Sequence, residues 1–292
     1  MTLPDAGTPR PKRLLTQNSD LKRIGVWNWT LPAWAVRLSD GRTVNTCPSA
    51  GVCAQVCYAR HGTYRFPVVR AKHEANLLFV LDDLPGWQAA MTTELSARRF
   101  RDAWIRIHDA GDFFSDAYLT AWLAVAAAHP GVEFYSYTKE INRFRRLVEP
   151  DPPPNFRWVY SYGGRQDAAI TEHDRRADVF PDEAAIAGAG WSSQSPSDLL
   201  AVLGPRQVGV PANRIPAANK KIAGRRFSHW QASHDAAQAA RRAPTARSSN
   251  RASDRGPQYR QPVVFSASST GTPYIVVRIL HQRMDIDRSV AS

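Results

Sequence analysis

Short apolar runs alternate with helix-length stretches of about ten to fifteen residues between positions 104 and 162, and this pattern predicts an α/β protein with a parallel sheet. Repeated βα units joined by right-handed crossovers imply a whole or partial (β/α) barrel. Two further observations agree. The 292 residues are 43% hydrophobic and include nine Trp, enough for a substantial core. The longest mostly apolar stretch, 119–128, is far shorter than the roughly 20 residues a bilayer span needs, so no membrane partner is expected.

Taken in order, residues 1–25 are polar and basic without an apolar signal region, and read as a flexible leader. Ser39-Asp40-Gly41-Arg42 is a turn signal between Ala35-Val-Arg-Leu38 and Thr43-Val-Asn45, which predicts a hairpin leading into a cysteine-bearing loop. Pro67 can open a helix over 67–81, and Pro85 one over 84–100. A strand over 104–108, a helix over 115–129 capped by Ser115 or Asp116, a strand over 132–137 and a helix over 140–148 follow. Three prolines, 152–154, break the chain before a strand over 156–162. Helical pieces and a strand at Asp178-Val-Phe180 fill 167–191, and the stretch from Leu199 to Val210 continues the core. Beyond Pro216 the pattern fades, until two β-rich runs recur at Val263-Val-Phe265 and around Tyr274.

Charge divides the chain further. Of the net charge of +12, eight units fall in 219–261, where ten Lys or Arg face two Asp. That composition reads as a disordered basic linker over 217–261 separating an α/β domain, 26–216, from a short β-rich tail, 262–292. The same segment is the candidate for any nucleic-acid contact, although it carries no nucleic-acid-binding fold motif.

All three cysteines, Cys47, Cys53 and Cys57, lie within the stretch Thr46-Cys-Pro-Ser-Ala-Gly-Val-Cys-Ala-Gln-Val-Cys-Tyr-Ala59. Three clustered thiols without a distant partner cannot form a closed disulfide framework, and they point to a metal or iron–sulfur site in a reducing cytoplasm. If the segment after Gly51 is helical, Cys53 and Cys57 project from one face a turn apart, and Pro48 and Gly51 bend Cys47 toward them. Three thiolates suffice for three irons of a [4Fe–4S] cluster, leaving one iron open to a small molecule or to His61, His73, His108, Asp109 or Asp112. The competing reading is a structural zinc held by Cys47, Cys53, Cys57 and His61 in a nucleic-acid-binding protein, and a third is three reduced thiols that only pack a loop.

A second constellation, His108-Asp109-Ala110-Gly111-Asp112, sits where a parallel strand ends, the edge at which α/β sheets bind ligands. Gly111 permits close backbone approach, Asp112 offers a carboxylate, and Lys139, at the end of the next strand, can hold a carboxylate or phosphate. Gly111, Asp112 and Lys139 are therefore the candidate cofactor-binding residues, with Arg165 a weaker partner to Lys139.

The cysteine stretch, Arg106-Ile-His-Asp-Ala-Gly-Asp-Phe-Phe-Ser115, Ser136-Tyr-Thr-Lys139 and Val159-Tyr-Ser-Tyr-Gly-Gly164 together resemble the actinobacteriophage "gene product 88" family of phage and prophage proteins, over roughly 24–203. The organisation is also similar to radical S-adenosylmethionine enzymes, in which a three-cysteine loop precedes a strand ending in a small-Gly-acidic triplet, here Ala110-Gly111-Asp112. That likeness implies S-adenosylmethionine as a cofactor to test and radical or redox chemistry as a reaction class, although the spacing C-x5-C-x3-C differs from theirs. The stretch from Ile275 to Asp287 resembles the last strand and tail of ParE-type toxins of the RelE superfamily.

Overall fold

A computed structural model describes residues 10–212 and 215–242, all within the first of two units that divide between Ala243 and Pro244. Its centre is a sheet of seven parallel strands in the order β1-β4-β5-β6-β7-β9-β8. These are β1 (Val26–Trp29), β4 (Trp104–Ile107), β5 (Glu133–Thr138), β6 (Phe156–Ser161), β7 (Arg176–Phe180), β9 (Gln207–Pro211) and β8 (Ser192–Ser193). The expected hairpin forms separately from β2 (Ala35–Arg37) and β3 (Thr43–Asn45).

Side-chain alternation assigns the two faces of the sheet. Ile105 and Ile107 of β4, Phe134 of β5 and Phe156 and Tyr160 of β6 point into the larger core. There they meet α2 (Pro67–Asp82), α3 (Leu84–Leu95), α4 (Asp116–Ala128) and α5 (Ile141–Leu147), with Trp29, Trp87 and Trp122 in mutual edge contact. Ser115 caps α4, its side chain accepting from the Tyr118 N–H at 3.2 Å. On the opposite face Val26, Tyr135 and Val159 meet only α1 (Ser19–Arg23), α7 (Leu200–Leu203) and neighbouring strands, in a smaller cluster. One face is thickly clad with helices and the other thinly, and the thin side holds the cleft described below.

Three expectations need correction. The sheet is open, because among the described residues its end strands do not pair. The free edge of β1 is instead taken by the leader, with Thr16 and Asn28 exchanging backbone hydrogen bonds of 2.9 and 2.7 Å. Residues 10–25 are thus part of the fold rather than a flexible leader: Leu14 and Leu15 are buried, and their N–H groups donate to the Glu94 carboxylate at 2.6 and 3.3 Å. The second helix stops at Leu95, with a short 3-10 turn over Arg98–Phe100 beyond it.

The stretch beyond Pro216 also differs from a disordered linker. α8 (Pro216–Ile222) and α9 (Phe227–Arg242) are helical and pack Ala218, Ile222, Phe227 and Trp230 against Val52 and Val56 of the cysteine loop. Their basic residues are partly absorbed by the fold. Arg225 lies over the Trp230 ring at 5.0 Å, Arg226 is 3.6 Å from the Asp178 carboxylate, and Lys221 donates to the Gln55 carbonyl. The remainder of the basic segment, 243–261, and the tail, 262–292, lie outside the described residues. No helix among the described residues is long and apolar enough to cross a membrane.

Candidate functional site

The cysteine loop crosses the carboxyl ends of the strands as a chain of 3-10 turns, Val52–Val56, Tyr58–Arg60 and Gly62–Arg65, before α2 begins at Pro67. The single helical face expected for Cys53 and Cys57 does not form, since Cys57 is extended between two turns. Long-range bonds decide this local shape. The Gly163 carbonyl accepts the N–H groups of Gly51 and Cys53 at 3.1 and 3.2 Å, and Gln231 Oε1 of α9 accepts that of Val52 at 2.7 Å. Gly163 has φ +93, and a Cβ there would lie 2.7 Å from Phe227, so glycine is required twice over. Asp167 fixes the same corner by accepting the Gly163 and Gly164 N–H groups, both at 2.8 Å.

Cys47, Cys53 and Cys57 are free and partly exposed, and all three line one cleft of about 1260 Å³. Burial raises the pKa of each thiol. Cys47 is pushed up to about 12, with the Asp112 carboxylate adding to the effect. For Cys53 and Cys57 burial also dominates, and the Lys139 ammonium works against it, most clearly at Cys53. Among the described residues no group of three or more His, Cys, Asp or Glu side chains is disposed to hold a metal ion. The thiols share a cavity without closing on one point, and His61 is not among the cleft-lining residues, so a tetrahedral single-ion site does not fit this arrangement.

Gly111, Asp112 and Lys139 also line the cleft, together with His108 and Asp109. Gly111 has φ +87, and a Cβ would meet Leu31 Cβ at 2.8 Å, so the demand for glycine comes from packing of the following loop. Asp112 is buried and acts as a staple. Oδ1 accepts from Thr138 Oγ1 and the Phe113 N–H, both at 2.8 Å, and Oδ2 from the Lys139 N–H at 2.9 Å. Its own N–H donates to the Thr46 carbonyl, tying the strand end to the cysteine loop. One lone pair on Oδ2 is left for a ligand. Burial raises the pKa of Asp112 and of Glu140, and the negative charge of Asp112 further raises that of Glu140. Lys139 Nζ donates to Ser161 Oγ at 2.7 Å, whereas Arg165 is exposed and outside the cleft lining.

Several residues of the cleft or of its supports carry no local sequence signal. Arg106 pairs with Asp198 at 3.1 Å from 92 positions away, and Tyr135 and Tyr137 also donate to that carboxylate at 2.5 and 3.3 Å. Gln231, at 1% exposure the anchor of Val52, sits in a segment that composition marks as linker. Asp167 was within reach of sequence reading, since a carboxylate a few residues after Gly163-Gly164 is placed to accept their amides.

The fold and cleft define an α/β protein with an open parallel sheet whose cysteine-bearing loop spans the strand ends. The family model described as Gene product 88 matches residues 10–244, and the chain belongs to that family. The match extends beyond the motif-bearing 24–203 at both ends and excludes the toxin-like stretch 275–287. No curated protein and no solved structure matches the chain.

Proposed function

We propose that this gene product 88 protein is an iron–sulfur protein in which Cys47, Cys53 and Cys57 hold a [4Fe–4S] cluster at the cleft, with one iron left for a small molecule beside Asp112 and Lys139. The observation that carries this reading is that every cysteine of the chain opens onto the same cavity, from a loop anchored by Gly163, Gln231 and Asp112. A [4Fe–4S] cluster with one open iron needs three cysteine ligands, the number this loop brings to the cavity. When bound, such a cluster supplies electron transfer and a Lewis-acidic iron.

The chain's own groups have defined parts in this reading. Raised thiol pKa values mean that the unloaded thiols are protonated, so loading releases protons, and Lys139 favours the thiolate of Cys53. The free lone pair of Asp112 Oδ2 is positioned to orient a donor on the small molecule, for which S-adenosylmethionine is the first to test. Enzymatic turnover of a radical or redox kind belongs to the same proposal. A zinc held with His61 draws less support, because His61 lies outside the cleft lining.

Anaerobic purification tests the reading directly. The protein is expected to be brown, with about four irons and matching sulfide per chain. Cys53→Ala is expected to abolish the colour and most bound iron. Colourless protein with one zinc, or iron unchanged in Cys53→Ala, refutes the cluster.

A further inference from the structure

Away from the thiols, the thin face of the sheet carries three buried polar atoms without a hydrogen-bond partner among the described residues: Asn28 Oδ1, Arg106 Nε and His108 Nδ1. All three residues line the cleft, and Asn28 and His108 are each only 3% exposed. They are neighbours. Asn28 of β1 is in register with Arg106 of β4, and His108 follows two residues on, at the strand end, with a φ of +66 that a non-glycine residue seldom adopts. Buried polar atoms are ordinarily satisfied, and three orphans on adjoining positions of one wall mark a place for a ligand.

The chemistry of each atom is fixed by what its residue does elsewhere. Asn28 Nδ2 donates to Thr30 Oγ1 at 2.8 Å, and Thr30 in turn donates to the Asp109 carboxylate, so the free Asn28 atom is the carbonyl oxygen, an acceptor. The Tyr118 hydroxyl accepts from Trp29 Nε1 at 2.7 Å and lies 2.8 Å from His108 Nε2, and its own buried proton is satisfied when Nε2 is the acceptor. Burial and the nearby Arg106 charge keep the imidazole neutral, so its single proton sits on Nδ1, a donor. Arg106 spends its Nη1 on Asp198 and keeps Nε–H, a second donor.

We propose that Asn28, Arg106 and His108 form a ligand subsite that takes an uncharged amide edge, C=O beside N–H, of the kind carried by a nucleobase or a lactam. The ligand is neutral because Asp198 already balances the guanidinium, and an incoming anion would also face the Asp109 carboxylate. Tyr58 and Tyr64, in mutual edge contact in the same lining, add aromatic surface for a flat ring, and the Tyr137 ring lies under the Arg106 guanidinium at 5.0 Å. None of the three subsite residues is a cysteine of the cluster proposal, so Cys53→Ala is expected to lose iron and keep this binding.

Calorimetric and NMR titration of the purified full chain with uracil and hypoxanthine, with 2-pyrrolidinone as the lactam and with benzoate and inorganic phosphate as anions, tests the subsite. Saturable binding of the neutral probes, with shifts of the Arg106 Nε–H and His108 Nδ1–H signals, is the expected result. Preference for uracil and hypoxanthine over 2-pyrrolidinone identifies a base site, and equal binding a general cyclic-amide site. Arg106→Lys keeps the charge opposite Asp198 and removes Nε–H, and is expected to weaken binding at least tenfold. Should that variant not fold, the NMR shifts of the parent protein decide. Binding of anions alone, binding of no probe, undiminished affinity in a folded Arg106→Lys, or a His108 proton on Nε2 overturns the proposal.

Discussion

His108 compresses several demands into one side chain. Its backbone N–H donates to the Trp29 carbonyl at 3.0 Å, its ring meets Phe113 edge-on, and burial drives its pKa from 6.5 down to about 3. A histidine that stays neutral in the folded chain but takes a proton when unfolded makes stability pH-dependent. Its contribution is fully present above about pH 6.5 and is lost as pH falls toward the folded value, on the order of 5 kcal/mol over the full window. Denaturant unfolding between pH 7 and pH 4 is expected to show this acid loss in the parent and a flatter curve in His108→Asn, since Asn tolerates positive φ and does not titrate. Equal slopes in the two proteins would exclude His108 as the source. At this scale the sequence was legible where chemistry is carried by residue type, as with the three cysteines and the strand-end Gly111-Asp112. It was silent where a role depends on a distant partner: nothing near Arg106 announces Asp198, and nothing near Val52 announces Gln231.

Among the elements, α9 has the most consequential contacts for its apparent plainness. Asp178 of β7, buried at 1% exposure, accepts from the Ser228 N–H at 3.1 Å and its hydroxyl at 2.5 Å, and so docks the start of the helix, while Gln231 one turn later reaches the cysteine loop. Gln231→Ala leaves the buried Val52 N–H without an acceptor, a cost of about 1–3 kcal/mol. Thiol labelling of Cys53 is expected to accelerate in that variant while the far-ultraviolet spectrum is unchanged; an unaltered labelling rate would show that the loop holds its shape without α9. Strands β4 to β6 were readable because apolar residues alternate along them, and α4 because Ser115 precedes an apolar run. Neither α8 nor α9 was, since a count of positive charge cannot register that Arg225 lies on Trp230 and Arg226 beside Asp178. The leader escaped for a related reason: its burial rests on Leu14, Leu15 and a single backbone bridge to Asn28, with no periodic pattern to read.

As a whole molecule, residues 10–242 carry both sheet faces, the cleft and every cysteine, and the family match ends at 244, beside the division after Ala243. Deletion of 244–292 is therefore expected to leave the thermal midpoint, and any iron bound as proposed, unchanged. A drop in either would assign the tail a part in the fold or the site. The alternation of strands and helices fixed the class of fold in advance, but not whether the sheet closes, because closure depended on which segment reached the outer edge of β1, and the leader took it.

The grip of Gly163 and Gln231 on the cysteine loop also sets an order of events during synthesis. Cys47, Cys53 and Cys57 are made early, yet the groups that shape their loop arrive more than a hundred residues later, the last of them in α9. Until then the thiols hang on an unformed segment with no common cavity to face. In the proposed cluster reading, the three thiols therefore come to face a common cavity only after α9 has been made and docked.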